Sequence, residues 1–323
     1  MIESYFKAFE AYRAQHPFDG EPTALYTPVN YIMELGGKRL RPILALMGYE
    51  LFNPNYAAAL PLAYAIEIFH NFSLVHDDIM DAAPLRRGQA TVHTKWNPNT
   101  AILSGDVMLI YAYDYLLRLD APSRIAEVVR VFNRVAREVC EGQQMDMDFE
   151  TRQDVSIPEY LRMIELKTSV LIAGALEMAG LAAGANAEDV KHLYEFGRNV
   201  GIAFQLQDDI LDTFGDADAV GKQIGGDIVQ NKKTFLILKA LEIGSADDRQ
   251  KLEAWMNTPT VDGPAKIVQV KSLLQQLNIQ HLAQQHKQEF QDLAFAHLQA
   301  LSVPEKNRAA LEALAHGLLD RAF

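Results

Sequence analysis

Two aspartate clusters have the residue types and the spacing best suited to chemistry. They occupy residues 77–81, which read DDIMD, and residues 208–212, which read DDILD. On an α-helix the first and last aspartates of each cluster lie one turn apart on one face, about 6 Å along the axis. Like charges repel on such a face, whereas paired carboxylates suit Mg²⁺, which often bridges a protein to a substrate phosphate. Two solvated acidic helix faces are the alternative, and the apolar segments FHNFSLVH and GIAFQLQ beside the clusters weigh against it.

Basic residues accompany both clusters. Lys38, Arg39 and Arg41 follow a glycine pair in GGKRLRP, and Arg86 and Arg87 follow the first cluster closely. The other candidate cations are Lys167 beside Thr168, Lys222, and Lys232 beside Lys233. Each cation alone is typical of a solvated surface. Arg binds phosphate through two donors and Lys supplies a compact charge, so cations beside paired carboxylates indicate an anionic ligand held by metal and cations together.

The composition excludes several classes of protein. The 323 residues include 30 Lys and Arg against 42 Asp and Glu, a formal net charge of −12, which argues against nucleic acid as a partner. The single cysteine, Cys140, excludes an internal disulfide framework and a multi-cysteine zinc site. The segment MIESYFKAFE lacks the pattern of a signal peptide, and the apolar stretches 57–69 and 170–185 fall short of ~20 uninterrupted residues. We therefore expect a soluble, cytoplasmic protein with no membrane span.

Helices must position these residues, because apolar side chains recur at spacings of three and four along most of the chain. Clear examples are the stripes over residues 128–139 and 193–210. Helix starts are predicted at Ser156–Glu159, Ser245–Asp248 and Ser302–Glu305, where a capping residue precedes an acid by three positions. Strand signals are rare, and the glycine-rich acidic segment 215–226 is predicted to be a loop. The sequence predicts one all-α domain over residues 1–323, a bundle of about ten or more helices.

The order of these motifs resembles that of the trans-isoprenyl diphosphate synthases, the polyprenyl synthetase family that includes farnesyl and geranylgeranyl diphosphate synthases. The similarity runs from about residue 36 to residue 234 through GGKRLRP, HNFSLVHDDIMD with LRRG, GQQMD, KT, FQLQDDILD, GKQIGGD and KKT. The resemblance implies an all-α homodimer of the isoprenoid synthase fold, with one active site per subunit in a central, helix-lined cavity. It also implies a Mg²⁺-dependent prenyltransferase with three Mg²⁺ ions per active site.

The family's functional residues can be carried over position by position. Asp77 and Asp81 would hold two Mg²⁺ ions, with Asp78 supporting them, and Asp208, beside Asp209, would hold a third. The implied contacts to the allylic diphosphate are Arg86, Lys167, Thr168, Gln205, Lys222 and Lys232. The implied isopentenyl diphosphate site consists of Lys38, Arg41, His70 and Arg87. Gln143 and Asp146 match a family position near the allylic site.

The implied reaction condenses isopentenyl diphosphate head-to-tail with dimethylallyl, geranyl or farnesyl diphosphate and releases diphosphate. The product would grow from the first cluster along the preceding part of its helix, so Phe72, Ser73 and Phe69 would set its length. Small Ser73 together with Phe72 resembles geranylgeranyl more than farnesyl diphosphate synthases. We therefore expect a C20 product rather than C15, and we expect Phe69 and Phe72 to block products of C30 or more.

Three alternative functions share part of this pattern. His76 beside Asp77 is similar to the His-Asp pair of HD-type metal phosphohydrolases. Those enzymes need further spaced histidines, and the second aspartate cluster would have no function in them. A class I terpene cyclase also ionises a diphosphate at DDxxD, but it usually has an Asn/Ser/Glu metal motif in place of the second cluster. A non-catalytic partner subunit of the same fold would have lost ligands, and none is lost here. A cyclase or a hydrolase needs one substrate, whereas a prenyltransferase needs two.

Overall fold

The computed structural model of the chain describes residues 2–215, 225–256 and 263–319. Most of these residues are helical, so the predicted all-α fold class is confirmed. The α-helices are α1 (Ile2–Ala14), α2 (Thr23–Glu34), α3 (Leu40–Glu50), α4 (Leu60–Met80), α5 (Val92–Lys95), α6 (Pro98–Leu116), α7 (Ile125–Thr151), α8 (Ile157–Ile164), α9 (Val170–Ala182), α10 (Ala187–Phe214), α11 (Gly226–Val229), α12 (Phe235–Ile243), α13 (Ala246–Met256), α14 (Gly263–Gln276), α15 (Ile279–Gln299) and α16 (Glu305–Leu319). A 3₁₀ turn at Tyr56–Ala59 precedes α4, and a π-helical turn at Glu165–Ser169 joins α8 to α9.

A short antiparallel hairpin follows the first aspartate cluster. Its strands are β1 (Leu85–Arg86) and β2 (Gln89–Ala90). Arg87 and Gly88 connect them with φ angles of 53° and 76°, the positive values that a tight two-residue hairpin turn needs. No strand is predicted here from the sequence, because two residues per strand are too few to show an alternating pattern.

Reciprocal capping explains where two helices begin. The Glu159 amide donates to Ser156 Oγ, and the Ser156 amide donates to Glu159 Oε2, so the capping box predicted at α8 is confirmed. Ser245 and Asp248 make the same pair of hydrogen bonds at the start of α13. Both helices therefore begin where the local sequence predicts.

The helix start predicted at Ser302–Glu305 is confirmed, but the serine there has a distant partner. The amide and the hydroxyl of Ser302 both donate to Asp189, which lies 113 residues earlier in the chain. The last helix, α16, begins at Glu305. Ser302 is therefore paired with a distant residue, although the local pattern indicates a helix cap.

The chain divides into two compact units, of which unit 1 consists of Met1–Val135, Leu171–Tyr194 and Ala300–Glu312. Its core is built around α4, which packs against α3 and α6 and is buried over most of its length. Among the described residues, the segment Tyr56–Met80 is long and apolar enough to cross a membrane. Because 61% of its apolar window is buried within the protein, the segment has the burial of a core helix.

Unit 2 consists of Ala136–Val170, Glu195–Gln299 and Ala313–Phe323. Its core gathers buried side chains from the end of α7, α8, α10, α12, α14 and α15, with Tyr160 and Leu206 among them. The first aspartate cluster thus belongs to unit 1, whereas GQQMD, the KT pair and the second cluster belong to unit 2.

Candidate active site

The first aspartate cluster forms the C-terminal end of α4. The Asp81 amide donates to the Asp77 carbonyl over 2.8 Å, so the two residues lie one helical turn apart, as predicted. Asp81 is the exposed C-cap residue, and Asp77 is half-buried. The carbonyls at this end carry the negative pole of the helix dipole, so carboxylates here destabilise the helix unless a cation neutralises them. The location therefore favours a bound cation.

Asp78 is engaged by the protein itself. Its side chain is 1% exposed and accepts from Arg86 in β1, with Nε 2.9 Å from both carboxylate oxygens and Nη2 2.7 Å from Oδ1. This bidentate pair holds the hairpin on the end of α4. Asp78 therefore joins the end of α4 to the hairpin and orients Arg86, which is expected to contact the allylic diphosphate.

The glycine pair before α3 positions the second arginine of the hairpin. Arg87 Nη1 donates to the Gly36 carbonyl. A Cβ on Gly37 would lie 2.9 Å from Arg87 Cζ, and Gly37 has a φ of 135°, which side chains rarely adopt. The GGKRLRP motif thus needs glycine here so that Arg87 can approach the loop that carries Lys38, an exposed residue.

Arg41 and His70 are neighbours in unit 1, with Nη1 and Nε2 3.2 Å apart. Burial lowers the pKa of His70 well below its ordinary value of 6.5, and the charges of Arg41 and Arg87 lower it further. Burial also lowers the pKa of Arg41 to about 10, so Arg41 is charged at neutral pH and donates to a neutral imidazole. Arg41 Nε is buried without a hydrogen-bond partner in the described part of the chain, which leaves a donor suited to an anion.

The neutral, buried His70 makes the stability of the fold depend on pH. Because its pKa is lowered in the folded state, the unfolded chain binds the proton first as the pH falls below about 6.5. The free energy of unfolding should therefore lose up to about 1.4 kcal/mol per pH unit below pH 6.5 through this residue. Denaturant titrations of His70→Gln between pH 7 and pH 5 should show a correspondingly smaller slope.

A matched control for this measurement is His281→Gln, which changes an exposed histidine in α15. This variant should keep the wild-type dependence of stability on pH. An unchanged slope in His70→Gln would contradict the assignment of His70 as a buried neutral group.

A buried ion pair that the sequence did not predict fixes the start of α3. Arg39 Nη1 lies 2.6 Å from Glu67 Oε1 of α4, and Arg39 Nη2 donates to the Met33 carbonyl. Arg39 and Glu67 are 4% and 2% exposed. Arg39 is therefore a structural cation, which agrees with its omission from the expected diphosphate ligands. The sequence indicates this ion pair only through Glu67, an acid within an otherwise apolar stretch, which needs a buried cation as its partner.

The second aspartate cluster lies in the last two turns of α10. Asp208 and Asp212 are half-buried, and Asp212 Oδ2 accepts a hydrogen bond from the Asp227 amide at 3.1 Å. Burial raises the pKa of Asp212, and the charge of Asp227 raises it further. As at the end of α4, carboxylates near the negative pole of the helix favour a neutralising cation.

Asp209 is the buried member of the second cluster. Its Oδ2 accepts from the hydroxyl of Tyr160 in α8, and its Oδ1 accepts from Gln205 Nε2 at 3.3 Å. Burial raises the pKa of Asp209 to about 7, and Asp227 adds to this effect. In both clusters the central aspartate is bound by the protein, and the outer pair is more accessible to solvent.

Lys167 and Thr168 lie in the π turn and are joined to the helices around it. Lys167 Nζ is 2.5 Å from Asp146 Oδ2 of α7, and Thr168 Oγ1 donates to Gln205 Oε1 at 3.4 Å. Since Gln205 also contacts Asp209, hydrogen bonds connect the KT pair to the second cluster. Unit 2 thus brings together the allylic-site residues expected from KT and FQLQDDILD.

Gln143 has the properties of a ligand-binding side chain. It is 8% exposed, and neither atom of its amide has a hydrogen-bond partner among residues that the structure describes. An unpaired buried amide costs about 1–3 kcal/mol, which a bound ligand would recover. This agrees with the family position near the allylic site that GQQMD matches.

Asp227 connects another expected contact to the second cluster. Lys232 Nζ is 3.2 Å from Asp227 Oδ1, and the Lys232 amide donates to the Asp227 carbonyl at 2.9 Å. Asp227 and Tyr160 were not among the expected site residues. Asp227 could have been found from the sequence, because it ends the GKQIGGD motif. Lys222, expected to contact the allylic diphosphate, lies outside the described residues.

Aromatic side chains surround the residues expected to set product length. Phe69 is 1% exposed, with its ring centroid 5.6 Å from Phe72 and 5.2 Å from Phe132. Phe72 is half-buried and lies 4.8 Å from His76, while Ser73 Oγ donates to a carbonyl in its own helix. Phe132 was not expected from the sequence, because it comes from α7 rather than from the segment before Asp77.

The donor set fits Mg²⁺. Asp77, Asp81, Asp208 and Asp212 offer oxygen ligands only, and two pairs one turn apart lie near negative helix ends. Within the described ranges, no group of three or more His, Cys, Asp or Glu is gathered as a metal site. Mg²⁺ is usually bound by one or two carboxylates, and water and substrate phosphate complete its coordination shell.

An all-α chain with two such clusters, each accompanied by cations, has the residues expected of an enzyme that ionises a diphosphate ester. The sequence profile of the family described as "Polyprenyl synthetase" matches residues 22–276. A geranylgeranyl diphosphate synthase of Methanosarcina mazei is 42% identical over 224 residues, 69% of each chain. Crystal structures of a geranylgeranyl pyrophosphate synthase (42% identity, TM-score 0.94, covering 100% of this chain and 99% of that chain) and of the Pyrococcus horikoshii geranylgeranyl pyrophosphate synthetase (34%, 0.93, 99% and 97%) share the fold.

The chain therefore belongs to the polyprenyl synthetase family of trans-prenyltransferases. The resemblance found in the motifs is confirmed, and the comparisons support neither the terpene cyclase nor the HD-type phosphohydrolase.

Proposed function

We propose that this enzyme condenses isopentenyl diphosphate with an allylic diphosphate in a Mg²⁺-dependent reaction that makes geranylgeranyl diphosphate. The observation that carries the proposal is that each unit holds a set of basic and polar side chains whose chemistry suits phosphate. Arg41, His70 and Arg87 form one set in unit 1, and Lys167 with Thr168 forms another beside the second cluster in unit 2. Two diphosphate substrates need two such sets, whereas a one-substrate enzyme needs one.

The chemistry follows from the placement of charge. Asp77 and Asp81 would hold two Mg²⁺ ions and Asp208 a third, and neutralising the charge on a departing diphosphate is what bound Mg²⁺ supplies. Lys167 and Arg86 would bind that same diphosphate as its negative charge develops, a type of contact worth about 3 kcal/mol in the transition state. Arg41 and Arg87 would hold isopentenyl diphosphate so that its double bond attacks the allylic carbon. The proton then lost would pass to the departing diphosphate.

The proposed C20 product rests on the residues that precede Asp77 in α4. Ser73 lies one turn and Phe69 two turns before Asp77 in α4. A chain that grows along the helix from the first cluster toward its N-terminus would reach Ser73 before Phe69. Phe72, one position before Ser73, contributes a half-buried ring. Support comes from the relatives named geranylgeranyl diphosphate synthase.

Phe72→Ala should lengthen the product, and Ser73→Phe should shorten it. Removing a half-buried ring opens space for about one further five-carbon unit, and it should cost less than the ~3–5 kcal/mol of a fully buried phenylalanine. Chromatography of the prenyl chains after dephosphorylation measures the change. Ser73→Ala is the matched control, because it removes the hydroxyl without filling space. An unchanged product length in both Phe72→Ala and Ser73→Phe would place the length determinant elsewhere.

We also propose that the enzyme acts in the cytoplasm as a homodimer. The homodimer is supported by an apolar stripe along α6 and its C-cap residue in unit 1, where Leu103, Ile110 and Leu117 recur at seven-residue spacing and are 59%, 61% and 66% exposed. Large aliphatic side chains aligned on an exposed helix face are typical of a protein interface.

The proposed function is tested by supplying labelled isopentenyl diphosphate with dimethylallyl, geranyl or farnesyl diphosphate in turn. We expect a C20 chain from each primer in the presence of Mg²⁺ and no prenyl product with EDTA. A C15 chain as the end product would correct the product assignment alone. No chain longer than the primer, with any of the three, would contradict the proposed reaction.

A further inference from the structure

Gly142 and Gly201 are two helical glycines that contact the backbone of the π turn. A Cβ on Gly142 in α7 would lie 2.3 Å from the Lys167 amide nitrogen and 2.7 Å from Lys167 Cα. A Cβ on Gly201 in α10 would lie 2.6 Å from Ser169 Cα. Atoms that close must move apart, so the turn can occupy its place only while both positions lack a side chain.

This contact distinguishes the pair from other closely packed helical glycines in the described part of the chain. At Gly48, Gly105, Gly174 and Gly180 the atom nearest to an added Cβ belongs to a side chain, of Leu176, His76, Val135 and Leu193 respectively. A side chain can often adopt another rotamer. A backbone segment can yield only by moving the residues that it carries, which here include Lys167.

The π turn is also fixed at its first residue. Glu165 accepts from Arg162 Nη1 and from Arg198 Nη2, each over 2.7 Å. π turns inside helices are rare and frequently lie at functional sites. Because Glu165 is anchored to α8 and α10, a methyl group added beside the turn would displace its middle, where Lys167 and Thr168 lie.

We propose that Gly142 and Gly201 are positioning residues for the allylic diphosphate, because they admit the π turn that sets Lys167 and Thr168 in place. The inference rests on the proposed function, which assigns those two side chains to that diphosphate. It also explains why the GQQMD motif begins with glycine, a residue that the expected contacts of Gln143 and Asp146 leave without a role. A misplacement of about 1 Å at a catalytic group can lower the rate by roughly a hundredfold.

The test compares steady-state kinetics of Gly142→Ala and Gly201→Ala with those of two control variants. Gly142→Ala and Gly201→Ala should each raise KM for geranyl diphosphate and lower kcat, by roughly tenfold or more in each constant. KM for isopentenyl diphosphate should stay within about twofold of wild type. Gly180→Ala, which meets the Leu193 side chain, and Gly317→Ala, which has open space around it, should leave these constants unchanged. A melting-temperature change shared by Gly142→Ala and Gly180→Ala without this kinetic difference would overturn the proposal.

A double-mutant cycle tests whether Gly142 acts through Lys167. If it does, Gly142→Ala should add little to the defect of Lys167→Met, whereas independent effects would multiply and contradict the proposal. Should Gly142→Ala fail to fold, the same cycle with Gly201→Ala decides the question. Wild-type protein that makes no prenyl product would reject the proposed function itself, and active wild type with unselective glycine variants would reject this inference alone.

Discussion

Asp77→Asn and Asp208→Asn should each lower kcat by at least about a hundredfold. The expected loss is ~3 kcal/mol, the scale of one group that stabilises developing charge in a transition state. The amide keeps the size of the carboxylate and loses its charge, so a Mg²⁺ ion would lose a ligand without a packing defect. Initial rates at saturating substrates and Mg²⁺ measure the effect.

Thermal stability gives this prediction a second readout. Asp77 lies in the last turn of α4, where its charge opposes the helix dipole. Without Mg²⁺, Asp77→Asn should keep a melting temperature close to that of wild type while its activity falls. Asp19→Asn, an exposed change between α1 and α2 of the same unit, is the control and should alter neither quantity. Near-normal turnover in Asp77→Asn or Asp208→Asn would reject the metal assignment.

Lys167→Met and Arg41→Met should affect different substrates. Removing Lys167 should raise KM for the allylic diphosphate and lower kcat, whereas removing Arg41 should mainly raise KM for isopentenyl diphosphate. Each charge-assisted contact is worth about 1.5–3 kcal/mol, which corresponds to roughly 10- to 150-fold. Varying one substrate at saturation of the other measures both constants.

The control for this pair is Lys251→Met. Lys251 forms an exposed ion pair with Asp247 in α13, so its loss should have little effect on stability and leave both KM values unchanged. If Arg41→Met weakened only allylic binding, the two diphosphate sites would be assigned backwards.

Much of the site could be predicted because helix geometry is local. Residues four apart share a helix face, so Asp77 with Asp81 and Asp208 with Asp212 follow from spacing alone. The same reasoning predicted the all-α class and the capping box at Ser156. These features depend on neighbours within one or two turns, which a single sequence displays directly.

The remaining features depend on partners far apart in the chain. Arg39 resembles its neighbours in sequence, but it is paired with Glu67, 28 residues further along the chain. Ser302 has the pattern of a helix cap, but Asp189 takes both of its donors. The π turn leaves the apolar spacing almost unchanged, and its place depends on two glycines in other helices.

The same distinction applies to the charged residues of the GGKRLRP motif. The sequence shows three cations within four residues, and it cannot show that Glu67 in the next helix neutralises Arg39. Because α3 packs against α4, Glu67 of α4 pairs with Arg39 at the start of α3. Arg41 is left to pair with His70 and to present a buried donor that has no partner in the described part of the chain.

Release of inorganic diphosphate tests most directly whether this chain joins two diphosphate substrates. The protein should be assayed with Mg²⁺ and geranyl diphosphate alone, isopentenyl diphosphate alone, and both together. We predict release only when both are present, with one diphosphate formed for each isopentenyl unit added to the product. Comparable release from geranyl diphosphate alone would identify a one-substrate cyclase or hydrolase and contradict the two-site condensation.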